Sequence, residues 1–397
     1  MLLLVLLALL VAIANVLDIF TDVIGIKISK INPVQLGVLN SISYVVYIMT
    51  ILIAGRLSDR GLLKFQSFII LIGLSIYLAV LNGYVLSGGF GLLITMYLLY
   101  PVLQSFTRTT TIAFIHENFQ SNVWERLLSR RVVYTLTMEA ILLITMSRFI
   151  EIFLNKTYLL VMFFTIPALT SFTLIRDPVL RFERTLFRIE VGVKRIENIV
   201  IDITTFSLLT NGKNWNRNRV KTLQSRSGFI NVRKIIYALV CFKLSNAFLF
   251  TQLPIYLAGS LQLTSMEILS IYGFARLLLL VDFLINVSVS RRTYLLMFLR
   301  GLLPLFILGN GFKVDVLMLA LVIGLLIYLN NKIEISLYSM YIDSIGRAET
   351  TRYLFVSELS SLASTMISGL VFSFTGYNGI IYITMSLLIL GGFITRY

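Results

Sequence analysis

Gly55-Arg56-Leu57-Ser58-Asp59-Arg60-Gly61-Leu62-Leu63-Lys64 is a short charged hairpin between two long apolar runs. A connection this short makes the flanking segments antiparallel neighbours. Both are long enough to cross a hydrocarbon core, which takes about 20 apolar residues in a helix. Arg56, Arg60 and Lys64 outnumber the one carboxylate, Asp59, so the positive-inside bias puts this turn on the cytoplasmic face.

The rest of the chain has the same character. Of 397 residues, 57% are hydrophobic and 13% charged, about half the charge of an ordinary soluble domain. An all-α polytopic membrane protein is expected. A β-barrel would need alternating polarity, which is missing. One Cys (Cys241) rules out a disulfide framework, and one His (His116) argues against a His-based metal cage. No cofactor is expected. The net charge of +15 reads as basic cytoplasmic loops rather than a nucleic-acid surface. The N-terminus has no basic region ahead of its apolar run, so a first membrane helix is expected there and not a cleaved signal peptide.

On a 20-residue scale, twelve spans fall near 2–24, 35–55, 65–85, 91–117, 128–150, 157–175, 233–257, 266–287, 294–310, 315–340, 352–374 and 378–395. Cations concentrate on alternate loops, which places both termini in the cytoplasm of a plasma-membrane protein. The basic stretch 176–232 divides the chain into six-span bundles at 1–175 and 233–397. Within it, Phe182, Leu186, Ile189, Val193, Ile196 and Val200 form a helical stripe opposite Arg184, Arg188, Lys194 and Arg195. That pattern predicts an amphipathic helix on the inner leaflet. The halves are faintly alike. Asn32-Pro33-Val34-Gln35 and Thr264-Ser265-Met266-Glu267 both read as helix starts, 232 residues apart.

The loop 55–64, the count of twelve and the six-plus-six repeat resemble the major facilitator superfamily of transporters. Asn32 to Gly37 is similar to that family's entry to helix 2. Glu125-Arg126 and Arg347 to Arg352 resemble its charged signatures before helices 5 and 11. Two places depart from the pattern: Gly61 falls one position early, and the second-half loop keeps Arg291-Arg292 but lacks Gly and Asp. The resemblance implies that Gly55, Asp59 and Arg60 act in gating, with Asp59 against the start of helix 11 near Thr350 and Thr351. It also implies that helices 1, 4, 7 and 10 line a central cavity, flanked by 2, 5, 8 and 11, with 3, 6, 9 and 12 outside. Helix 5 has neither Gly nor Pro over Tyr134 to Leu143, unlike the drug–proton antiporters.

An ionisable side chain at mid-bilayer costs about 2.5–3.5 kcal/mol or more, so it faces a cavity or a partner. Asp18, Arg108, Glu139, Lys243, Arg276, Asp282, Lys332, Glu334 and Glu358 all lie within spans. Arg108 and Glu139 are about equally deep at 1.5 Å per residue, which predicts that they touch. Lys243 and Arg276 lie level with no carboxylate of equal depth, so they point to an anionic group on the solute, or else to Asp282 as their counter-ion if a helix tilts. Arg300 is near enough to its span end to snorkel. Hydroxyls around Arg108 (Ser105, Thr107, Thr109, Thr110, Thr111) either line a water path or bond backbone carbonyls. Gln104, Asn246, Gln252, Asn330 and Asn331 are further polar candidates.

The expected protein is a monomeric secondary transporter, not an enzyme. It would move a small, anionic solute by alternating access, with Glu139 as the first candidate for binding a coupling proton. The competing reading is a transporter-like receptor or scaffold without transport. A sealed centre would favour that second reading, and an open polar cavity would favour the first.

Overall fold

The computed structural model describes residues 2–119, 123–175, 232–285, 293–306, 316–345 and 350–396. The amphipathic stripe at 182–200 and most of the predicted linker lie outside them. Among the described residues helix is the only regular structure beyond short turns. The helices are α1 (Leu2–Ser29), α2 (Pro33–Asp59), α3 (Leu63–Ser87), α4 (Phe90–Asn118), α5 (Trp124–Asn155), α6 (Thr157–Leu174), α7 (Val232–Gly259), α8 (Ser265–Ile285), α9 (Thr293–Leu302), α10 (Val316–Ile345) and α11 (Thr350–Arg396).

Seven of them are long and apolar enough to cross a membrane, and α5 with α6 form an eighth as a pair bent by 116°. The chain is an all-helical, multi-pass membrane protein. The last two predicted spans run on as the two limbs of α11. They meet at Gly376 (φ 66°, ψ −171°), a conformation open in practice only to glycine.

The predicted helix starts form as written. Asn32 caps α2: its side chain accepts from the Gln35 amide at 2.8 Å, and Gln35 Oε1 accepts from the Asn32 amide at 3.0 Å. Thr264 and Glu267 make the same reciprocal pair at α8, with contacts of 2.7 and 3.3 Å. Both are capping boxes at equivalent points of the repeat.

The opening stretch needs a correction. Gly55 to Asp59 is helix, and the connection is only Arg60-Gly61-Leu62. A buried polar knot holds this corner. Gln66 donates to the Ala54 carbonyl at 2.7 Å and to Ser58 Oγ at 3.0 Å, and accepts from Thr110 at 2.8 Å. That knot joins α2, α3 and α4, so α2 continues beyond the apolar run. Arg60 is exposed. The side chains of Asp59, Thr350 and Thr351, on which the gating contact depends, lie outside the described residues.

α1 is buried from Leu4 to Gly25 and packs against α4, α5, α6 and α8. The N-terminal group of helices meets the C-terminal group along two main seams, α2 with α11 and α5 with α8. At the Pro33 end these seams are tight. A Cβ at Gly369 would lie 2.5 Å from the Pro33 carbonyl oxygen, and one at Gly37 would lie 2.8 Å from that of Thr365. Ser41 with Thr365 (3.0 Å), Gln252 with the Pro33 carbonyl (3.3 Å) and Ser270 with Ser147 (2.9 Å) add cross-seam hydrogen bonds.

Overpacking such a contact costs about 1–3 kcal/mol. Gly369→Leu is expected to lower the melting temperature. It should also raise the rate at which a thiol reagent labels a cysteine placed by Val34→Cys in a Cys241→Ser background. Unchanged melting and labelling would mean that the glycine contact does not hold this end shut.

Candidate functional site

A polar cavity lies in the middle of the bundle as three lobes that all reach Asp18 of α1. The first, about 220 Å³, lies between α1, α2, α4 and α11 and is lined by Asn40, Tyr44, Tyr47, Arg108 and Glu358 among others. The second, about 290 Å³, lies between α1, α7, α8 and α10, with Asp22, Asn246, Arg276, Asn330 and Glu334. The third, about 330 Å³, lies between α1, α4, α5 and α8, with Asn15, Arg108, Arg131, Thr135, Glu139 and Arg276. The lining thus comes from helices 1, 2, 4, 5, 7, 8, 10 and 11, while among the described residues α3, α6 and α9 contribute none to these lobes. Charge along the sequence marks most of the lining helices but not α2, which lines the cavity with neutral side chains.

The pairing of charges differs from expectation. Glu139 does not bond Arg108. It accepts from Asn15 Nδ2 at 2.5 Å and lies 3.1 Å from Arg276 Nε, although that N–H is not aimed along the contact. α5 turns Glu139 toward α1 and α8. Arg108 Nη1 instead donates to the Tyr47 hydroxyl at 2.9 Å. Nor is there a cation surplus at Lys243 and Arg276: Lys243 bonds Glu334 at 2.7 Å, and Arg276 has Glu139. Helical rotation decides such pairings, and a depth count does not carry it. Lys332 is buried away from the three lobes, with its ammonium 5.6 Å from the Tyr328 ring. The Asp282 side chain lies outside the described residues.

Arg300 does not snorkel. It is 0% exposed, and its Nε donates to Asn330 at 2.7 Å. The hydroxyls around Arg108 mostly serve the backbone, as Thr107, Thr109 and Thr111 each bond the carbonyl four residues back. Gln252 belongs to the seam, bonding Pro33 and Ser368.

Three lining residues were not singled out in the sequence. Asp22 is buried and accepts from the Tyr97 hydroxyl at 2.5 Å. Its signal was available: Asn15, Asp18 and Asp22 are spaced three and four apart, on one helical face. Asn15 belongs to the same row. Arg131 sits about two turns inside α5 and lines the third lobe. Its buried Nε and Nη1 have no hydrogen-bond partner, and neither does the Thr135 hydroxyl one turn on.

The cavity is therefore bipolar. Arg108 and Arg131 face it near one end without a bonded carboxylate. Asp18 and Asp22 stand toward the other, partnered by neutral groups, with Tyr100 and Gln104 in hydrogen-bonding reach of Asp18. Cationic and acidic groups held apart in one polar cavity suit a ligand with complementary ends.

No family model and no curated protein matches the sequence. Solved structures do. A POT family transporter in complex with 5-aminolevulinic acid superposes with a TM-score of 0.62 at 13% identity, covering 99% of this chain and 94% of that one. A second, in complex with a thioalcohol-conjugated peptide, gives the same values. A peptide transporter POT in complex with sulfate gives 0.63 at 14% identity, covering 99% and 93%. The chain has the fold of a transporter. At these identities the likeness to POT structures speaks for the fold, and the solute must be argued from the cavity.

The two ion pairs should differ in weight. Glu139 is 4% exposed, and removing Arg276 strands its charge, which costs about 3–5 kcal/mol. Glu334 is 47% exposed, so removing Lys243 leaves a charge that water can reach and costs about 1 kcal/mol or less. Thermal unfolding should rank Arg276→Met well below Lys243→Met. Combining Arg276→Met with Glu139→Gln should recover much of the loss. Equal effects of the two single substitutions would contradict this ranking.

Proposed function

We propose that the chain is a secondary active transporter, not an enzyme, for a small solute that carries an anionic group and an amine. The observation that carries this reading is the polar cavity at the seam of the two helix groups. Arg108 and Arg131 face one end of it without a bonded carboxylate, and Asp18 and Asp22 stand toward the other. Guanidinium groups suit carboxylate or phosphate oxygens, and the aspartates suit an ammonium group. One solved neighbour holds 5-aminolevulinic acid, which has a carboxylate and an amine of this kind.

The wider arrangement follows the same reading. It is a monomer of twelve spans in the plasma membrane, in two six-helix bundles at 1–175 and 233–397, with a cytoplasmic linker at 176–232 and both termini inside. Contacts at the Pro33 end close the cavity to the outside, leaving the cytoplasmic side as the route in and out. Rocking about the α2–α11 and α5–α8 seams would expose the site alternately. Glu139 is the coupling group we favour. Protonating it would free Arg276, and that exchange links a proton to the seam between the groups.

The competing reading is a transporter-like receptor or scaffold that binds without transport. The paired charges at Lys243–Glu334 and Arg276–Glu139 lean toward it, and the polar cavity leans against it.

Uptake of 5-aminolevulinic acid into proteoliposomes, with and without an inward proton gradient, separates these readings. Gradient-driven uptake is expected. Arg108→Gln and Arg131→Gln should each reduce it about tenfold or more, the loss of one charged hydrogen bond. Glu139→Gln should abolish the gradient's effect while leaving exchange of preloaded solute. Binding without uptake in any gradient would support the receptor, and an unaltered proton dependence in Glu139→Gln would remove that residue from coupling.

A further inference from the structure

Arg300 of α9 is wholly buried, and among the described residues no carboxylate bonds it. Its Nη1 and Nη2 have no hydrogen-bond partner. What it does have is the Phe250 ring, 5.8 Å from its guanidinium carbon, and one bond from Nε to Asn330 Oδ1 at 2.7 Å. As packing this is poor, because an apolar side chain of similar volume commonly serves as well as or better than a buried ion. Residues that break a local rule in this way tend to serve function.

The chemistry of the chain of bonds indicates which function. A guanidinium is donor-only, so Asn330 must turn its carbonyl to Arg300 and its NH₂ away. That NH₂ donates to Asn246 Oδ1 at 2.5 Å. With its Oδ1 end turned to Asn330, the free end of the Asn246 amide is its NH₂. Asn246, Asn330 and Phe250 all line the second lobe of the cavity, beside Arg276. An amide is ordinarily ambivalent, since either end can face a ligand. Here a fixed charge behind the wall removes the choice.

We propose that Arg300 is a specificity-setting positioning residue: through Asn330 it fixes Asn246 as a hydrogen-bond donor to the cavity, selecting solutes that place a neutral acceptor oxygen, a carbonyl, in the second lobe beside the amine that Asp18 and Asp22 take. The proposal rests on the reading of this cavity as the solute site. It adds a determinant on α9, a helix that does not itself reach the lining.

The test uses the full-length protein purified in detergent, melted against N,N-dimethylacetamide, an amide that can only accept, with sodium acetate, which Arg108 and Arg131 would take, as the comparison. The wild type should be stabilised by both. Arg300→Met should bind dimethylacetamide about fivefold more weakly, the loss of one oriented hydrogen bond, and acetate as before, while the empty variant melts at the same temperature or higher. Arg300→Lys, still a donor, should keep more of the affinity for dimethylacetamide. Asn246→Asp still accepts from Asn330 but turns an oxygen to the cavity, so it should lose the dimethylacetamide response and gain one to ethylammonium.

No response of the wild type to dimethylacetamide overturns the proposal. So does equal affinity in Arg300→Met, a fall in its melting temperature parallel to its affinity, or an unaltered dimethylacetamide response in Asn246→Asp. A dimethylacetamide response with the expected variants but no uptake of 5-aminolevulinic acid would sink the transport reading and leave this relay standing.

Discussion

Glu139 of α5 and Arg276 of α8 lie 3.1 Å apart where the two groups of helices meet. Neither charge could stay in an apolar bundle alone, since each ion taken out of water costs several kcal/mol. Their pairing fixes how α5 and α8 are rotated. It leaves α1 to close the site, with Asn15 on Glu139 and Asp18 in every lobe of the cavity. The third and second lobes share Arg276, so the pair stands where they meet. Neutralising either member would loosen a seam and alter the wall of the cavity together.

Around that pair the protein uses two kinds of contact. Toward Pro33 it uses small residues, with Gly37, Gly369, Ser41 and Ser270 bringing backbones close and adding short hydroxyl bonds. Interfaces of this sort depend on shape and give little when a methyl is added. Toward the turn at Gly61, polar side chains such as Gln66 tie helices within one group. The first kind of contact joins the two groups by shape, and the second ties helices within one group by hydrogen bonds.

Much of this was legible in the residues. Hydropathy located the helices, the two capping boxes marked α2 and α8 to the residue, and the uneven spread of charges marked most of the lining helices. What failed was pairing. Arg108 and Glu139 are level, but depth says nothing of which way a helix faces, and Tyr47 and Asn15 were nearer. Arg300 was misplaced because distance from a span end was used where burial by neighbours decides. Arg131 was hidden by its position near the start of a predicted span, where a cation normally faces water. Asp22 could have been found from its spacing to Asp18.

The paired capping boxes at Asn32–Gln35 and Thr264–Glu267 bear on how the chain is made. Each is complete within four residues and uses no partner from elsewhere in the bundle. Satisfying these terminal amides locally is worth about 0.5–2 kcal/mol. The entry points of α2 and α8 are therefore marked by the chain itself and rely on no contact across a seam. Each half brings its own punctuation, and assembly is left to match two elements whose registers are already written.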